Sequence, residues 1–272
     1  MFQIASSAAG TEAAGHAAEH AEHGLGVVPV HYLVDIGGFT VHLDTLITTW
    51  LSMAIVIILV LMVTRSLKPA PNKKQTVAEA LVEFIEGLVK GQMGEGNKEV
   101  LLYLPLIGSI FVFVLVCNLI GLLPWRLMHL GGSTMELASP TNDLNTTAGL
   151  ALVSVISYFY YGIKKKGLGY FKHYLTPYWF FLPFNLLEDF SRPLSLAFRL
   201  FGNIIGGEIL LGILLFLVPW FIPLPIFAFE VFVAFIQAFV FAILTASYIG
   251  AAVTEHHHDD EHDLEHAHVT NH

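Results

Sequence analysis

Charge is what this chain has least of: only 13% of its 272 residues are Asp, Glu, Lys or Arg. A soluble domain carries about 25%. With 55% hydrophobic residues and a mean hydropathy of +0.66, the deficit excludes an ordinary water-soluble globule and points to lipid as the main solvent. Cysteine is scarcer still. Cys117 stands alone inside an apolar run, so it makes no internal disulfide and no cysteine metal cluster, and it reads as a small buried hydrophobe. No Lys or Arg occurs before Arg65. The opening stretch, MFQIASSAAGTEAAGHAAEHAEHG, lacks the basic region and apolar core of a cleaved signal peptide. The first apolar run is therefore expected to act as an uncleaved insertion signal. No Walker A pattern or other nucleotide cradle is present. No catalytic site, no cofactor and no nucleic-acid partner are expected on this chain.

What remains is long and apolar. A membrane helix needs roughly 20 consecutive apolar residues, and five stretches qualify, at about 44–64, 100–123, 146–163, 181–218 and 224–253. The fourth is too long to stand upright. As a helix of about 36 residues it would reach about 54 Å, against a hydrocarbon core of about 30 Å. It must tilt steeply, bend near Pro193, or both. Pro219, Pro223 and Pro225 separate it from the fifth, so the pair is expected to form an oblique hairpin. Between the first two spans, Val77, Leu81, Phe84, Ile85 and Leu88 recur at helical spacing among Glu79, Glu83, Glu86 and Lys90. That pattern predicts an amphipathic interfacial helix, either a docking site for partner subunits or a plain connector. The fold class is thus an all-α integral membrane protein of about five membrane helices, the last two a long tilted hairpin. Residues 1–43 form a polar, His-rich external region, 44–253 a single membrane domain, and 254–272 an acidic, His-rich cytoplasmic tail.

Sidedness follows from the basic residues. Arg65, Lys68, Lys73, Lys74, Lys90 and Lys98 lie between the first two spans, and Lys164, Lys165, Lys166 and Lys172 follow the third. Only Arg126 falls in a loop on the other side. The N-terminus is therefore expected outside and the C-terminus in the cytoplasm, as an odd number of spans requires. Most of the 14 histidines lie in the two tails, without a defined ligand geometry, and read as solvated acidic segments rather than a metal site.

An ionisable group inside a span costs at least about 2.5–3.5 kcal/mol on insertion scales and marks function by default. The fourth stretch, NLLEDFSRPLSLAFRLFGNIIGGEILLG, holds several. Glu188, Arg192, Ser195, Arg199 and Asn203 recur every three or four residues and form one polar stripe. Glu188 and Arg192 can satisfy each other as a structural ion pair. Arg199 has no carboxylate three or four residues away, and Glu208, nine residues on, points about 180° away around the helix. Arginine cannot shed its proton, so Arg199 must face water or a carboxylate supplied from elsewhere. Gly202 and Gly206 lie beside it in the small-residue spacing that lets another helix approach closely. In the fifth span Glu230 and Gln237, seven residues apart, share a face. Glu208 and Glu230 then lie toward the outer, Pro-rich turn, where two carboxylates could form a water-accessible funnel. Asp143 and Asn145 in the outer loop could extend it, or cap the third span. Asn118, in the second span, carries a similar ambiguity.

With these residues in place, the chain resembles subunit a of the F-type ATP synthase membrane sector. The resemblance is carried by SRPLSLAFRLFGNIIGGE (191–208), with CNLIGLLPW (117–125), PTNDLNTT (140–147) and IQAFVFAILTASYI (236–249) in the same order. It implies that Arg199 is the essential arginine facing a rotating ring of c subunits. It implies that Asn203, Glu208, Glu230 and Gln237 lie near the ion path, with Asp143, Asn145 and Asn118 toward its outer end. Gly121 falls where some members carry aspartate, so that part of the path is expected to be built differently here. The resemblance further implies a non-catalytic stator subunit with two aqueous half-channels for H⁺ or Na⁺. Its partners would be the c ring, the b subunits of the peripheral stalk and the rest of the complex, in a bacterial cell inner membrane. The alternative reading is a secondary transporter binding an anionic substrate at Arg199, although the internal repeats common in such proteins are absent.

Overall fold

The computed structural model describes residues 33–36, 39–65, 73–94, 100–122, 139–167, 180, 182–217 and 223–253. Both His-rich tails and the loop containing Arg126 lie outside them. Five helices are long and apolar enough to cross a membrane. These are α1 (Leu43–Arg65), α3 (Val100–Gly121), α4 (Leu144–Lys166), α5 (Leu182–Leu217) and α6 (Pro223–Val253), and α2 (Lys73–Met93) is the amphipathic segment. Every span lies within three residues of its predicted bounds. One element was not anticipated. Strands β1 (Leu33–Ile36) and β2 (Phe39–His42) pair antiparallel directly before α1, with Ile36 opposite Phe39 and Leu33 opposite His42. The region expected to be only a polar tail therefore ends in a short hairpin.

Helix α1 shows how the fold distributes polarity. Its buried positions are all polar (Asp44, Thr45, Thr48 and Ser52), whereas Leu46, Trp50, Ile57 and Ile58 are exposed. In lipid this inversion is the economical arrangement, because apolar side chains are already well solvated and polar ones are not. The hydroxyls of Thr48 and Ser52 also donate to the carbonyls of Asp44 and Thr48, at 2.9 and 2.7 Å.

Helix α6 is the hub, packed against α2, α3, α4 and α5. Its buried stripe contains Ala234, Ala238, Ala242, Ala246 and Gly250, one small residue every fourth position. Without a strong hydrophobic drive between helices in lipid, small residues allow the close backbone approach on which association depends. A Cβ at Gly250 would already stand 3.0 Å from the Gln92 carbonyl oxygen. Where α6 meets α4, Ser154 Oγ and Thr245 Oγ1 share a buried hydrogen bond of 2.8 Å.

The predicted apolar stripe of α2 is only partly used. Ile85, Leu88, Val89 and Met93 are buried against α3 and α6, whereas Val77 is 71% exposed. The C-terminal half of α2 thus belongs to the core. Helix α5, at 36 residues, is continuous through Pro193, and its apolar span alone covers 28 residues. At about 1.5 Å per residue that span exceeds the hydrocarbon core, as the expected tilt requires. Helices α5 and α6 do pack together, but α5 rests more extensively on α4 and α6 on α3.

Gly250→Val is expected to drive α2 from α6 and destabilise the protein by about 1–3 kcal/mol. The thermal-unfolding midpoint of the purified protein in nanodiscs should fall, while Ala251→Val, at an exposed neighbour, should leave it unchanged.

Candidate functional site

The polar side chains converge at one end of the bundle, around a single 3-10 turn, Pro140–Asn142, that contacts α1, α3, α4 and α5. Pro140 opens the turn with its fixed φ, and Asp143 closes it by accepting a 2.8 Å hydrogen bond from the Asn145 backbone N–H. Asp143 is thereby the N-cap of α4. Its other oxygen lies 3.1 Å from His42 Nδ1, at the end of β2. The Asn145 side chain is exposed.

The turn is pinned from below. Thr141 Oγ1 donates to Asn118 Oδ1 at 2.9 Å, and Ser139 Oγ donates to the Cys117 carbonyl at 3.2 Å. The Asn118 amide donates in turn to the Ala234 carbonyl of α6 at 3.4 Å. Asn118, Ser139 and Thr141 are each at most 1% exposed. Asn118 is thus a structural link between α3, the turn and α6. Gly121 explains itself here: any Cβ would collide with Ser139, whose hydroxyl would lie 2.7 Å away. A side chain at that position has no room while the turn holds this place.

Two of the acidic residues of the last helices, Glu208 and Glu230, sit close by. Glu208 Oε2 accepts a 2.7 Å hydrogen bond from Asn142 Nδ2. Glu230 is 7% exposed, and its carboxylate lies against Gly207, where an added Cβ would stand 2.6 Å from Cδ. Any side chain at 207 would displace it. Gln237, two turns further along α6, is half-buried.

Arg199 lies elsewhere. It is exposed on the outer face of α5, in line with Ser191, Ser195, Gly202 and Gly206, and no ion pair to it is found among the described residues. Gly202 and Gly206 have open space where a Cβ would stand. Asn203 is half-buried, with Nδ2 buried and unpartnered among the described residues. Arg192 is fully engaged, at 2.5 Å from Glu188, 3.2 Å from Asp189 and 5.3 Å from the centre of the Tyr248 ring. The structure therefore separates the paired arginine from the unpaired one along a single helix.

Sequence reasoning missed Asn142, Thr141, Ser139 and His42 as site residues, and took Asp44 only as the start of a span. The polar spacing Asp44, Thr48, Ser52, one residue per turn within an apolar helix, was the signal available for α1. Among the described residues no group of His, Cys, Asp and Glu is arranged to hold a metal.

Fold and site together define a class: a polytopic helical membrane protein that keeps ionisable side chains within its spans, some satisfied internally and one left facing outward. The family model for the ATP synthase A chain matches residues 46–250. Similar proteins include the chloroplastic ATP synthase subunit a of Stigeoclonium helveticum, 52% identical over 228 residues (84% of this chain, 91% of that one). The chloroplastic subunit a of Oedogonium cardiacum is 51% identical over 228 residues (84% and 89%). The chain belongs to the ATP synthase A chain family. One expectation is corrected by these relatives. Both are chloroplastic, a finding that overturns the bacterial inner membrane inferred from the sequence. Basic-residue asymmetry reports which side a loop takes, not which membrane it crosses.

Thr141→Val removes the hydroxyl that satisfies buried Asn118. It should cost about 1–3 kcal/mol, read as a lower unfolding midpoint of the purified protein. Thr64→Val, whose hydroxyl is exposed, should have no measurable effect.

Proposed function

We propose that this chain is the ion-translocating stator subunit of a rotary ATP synthase, in a chloroplast membrane, with Arg199 as the fixed charge that works against a rotating ring of carboxylates. The observation that carries this reading is Arg199 itself: a permanent cation on the open face of a membrane helix, without an ion pair among the described residues, beside two glycines that leave room for a partner helix. Such a charge needs an opposite charge from another chain.

The mechanism follows from electrostatics. An ion, H⁺ or Na⁺, enters from the outer side past Asp143, Asn145 and Asn118 to Glu208 and Glu230. It neutralises a carboxylate on the adjacent c ring, and only the neutral form can turn into lipid without a large desolvation cost. After nearly a full turn that carboxylate reaches an inner half-channel and releases its ion. Arg199 stabilises the ionised carboxylate between the two half-channels and prevents ions from passing directly between them. Asn203 and Gln237 supply polar contacts along the same path. Each elementary charge crossing 100 mV contributes about 2.3 kcal/mol. The b subunits of the peripheral stalk hold this chain against the torque, and ATP is made elsewhere in the complex.

Arg199→Ala is expected to abolish ATP-driven proton pumping in vesicles containing the assembled complex, with assembly intact. Normal pumping by an assembled Arg199→Ala complex would overturn the stator assignment. Gly207→Ala should displace the Glu230 carboxylate and lower pumping about tenfold or more, whereas Gly202→Ala, whose Cβ meets no other helix within 4 Å among the described residues, should leave the fold and assembly of the chain itself unaffected.

A further inference from the structure

Asn142 sits in the short turn between Ser139 and Asp143, and both neighbours in the chain are anchored. Thr141 is bonded to Asn118, and Asp143 caps α4 and contacts His42. The Asn142 backbone N–H donates to the Ser139 carbonyl at 3.0 Å, so the backbone itself is fixed. Its side chain is 5% exposed and reaches across the bundle to Glu208, 66 positions away in sequence, at 2.7 Å. The other end of the same amide, Oδ1, is buried with no hydrogen-bond partner among the described residues. An amide does not titrate. Its NH₂ can only donate and its carbonyl can only accept, so it holds one carboxylate oxygen whatever the state of its surroundings and presents an acceptor beside it.

We propose that Asn142 is a positioning residue for ion transfer: it locks the Glu208 carboxylate in one orientation toward the path and offers Oδ1 as a neighbouring acceptor for the donor that delivers the ion, a water molecule or hydronium. This rests on the stator reading above. It adds a residue that acts through Glu208 rather than on the ion-carrying ring. Buried acceptors are almost always satisfied by protein or water, so an Oδ1 left open next to a held carboxylate is a seat for a donor. The geometry also divides labour within one turn, with Asp143 holding the chain end of the hairpin through His42 and Asn142 holding the carboxylate of α5.

The test is a double-mutant cycle on the assembled complex in vesicles, reading ATP-driven proton pumping and passive proton flux under an imposed gradient. The variants are Asn142→Leu, Glu208→Asp and both together, with Arg199→Ala as control. Glu208→Asp keeps the carboxylate but withdraws it by about one bond length, out of range of the amide. Asn142→Leu alone should lower flux about tenfold. Because it acts through the held carboxylate, the same change in the Glu208→Asp background should cost less than about twofold. Equal losses in both backgrounds, or normal flux from Asn142→Leu, would overturn the proposal. Should Asn142→Leu fail to assemble, Asn142→Ala is carried through the same cycle, and failure of both to assemble would make Asn142 a structural brace and sink the positioning role. The control separates the two layers. Normal pumping by Arg199→Ala overturns the stator reading and this proposal with it, whereas loss of pumping there with additive effects at Asn142 overturns only the role of Asn142.

Discussion

Close approach at α6 is the constraint on which the remaining structure depends. Lipid tails solvate leucine as well as another helix does, so helices in a membrane associate through packing and polar contacts rather than through expulsion of water. The small residues at 234, 238, 242, 246 and 250 let α6 meet α2, α3, α4 and α5 closely. At that spacing hydroxyls and amides can reach across, as Ser154 does to Thr245 and Asn118 to the Ala234 carbonyl. A bulky residue anywhere along the stripe would open the distance and strand those polar groups. The position of Glu230 against Gly207 is a further consequence of the same close packing.

Polar burial then organises the end of the bundle around the Pro140–Asn142 turn. Helix α1 brings Asp44, Thr45, Thr48 and Ser52 inward, α3 brings Asn118, and the Pro140–Asn142 turn brings Ser139, Thr141 and Asn142. None of these groups could face the hydrocarbon without a cost of several kcal/mol. The hydrogen bonds from Ser139 to the Cys117 carbonyl and from Thr141 to Asn118 fix a turn that would otherwise be a flexible connection. A rigid turn is what allows two adjacent residues, Asn142 and Asp143, to hold two different partners, Glu208 and His42.

The spans were legible because length and hydropathy alone decide them, and α1 and α3–α6 began and ended within three residues of their predicted bounds. The isolation of Arg199 was legible too, since helical periodicity places Glu208 on the opposite face before any coordinates exist. What sequence could not supply was the partner of each polar group. Asp143 and Asn145 stood out as cap residues, whereas Asn142, immediately before them, carried no periodic or capping signal, and its contact with Glu208 depends on how α5 lies against the turn. The β1–β2 hairpin was overlooked although Gly37 and Gly38 between two β-rich runs are a hairpin signal. The Ala stripe of α6 was hidden by composition, because alanine in an apolar helix looks like any other apolar residue until its neighbours are known.

Under the proposed function, helix α5 itself imposes the geometry of transfer. Arg199 and Glu208 are nine residues apart, about 13.5 Å along the axis, and they face opposite sides, one open to the surroundings and the other held by the Asn142 turn. On the proposed stator reading, an ion arriving at Glu208 would be neither at the depth nor on the face of the arginine. To reach a ring carboxylate it would have to pass around α5, where the bulk of the helix is least. Gly202 and Gly206 thin the helix over that interval, and Asn203 places within it a buried amide nitrogen that has no partner among the described residues. A carboxylate at position 203, four residues from Arg199 on the same face, would let the two pair directly, satisfying the arginine within its own helix and leaving nothing to attract a carboxylate from outside. The nine-residue separation keeps the acid and the cation from pairing within the helix, as the proposed fixed charge working against a moving one requires.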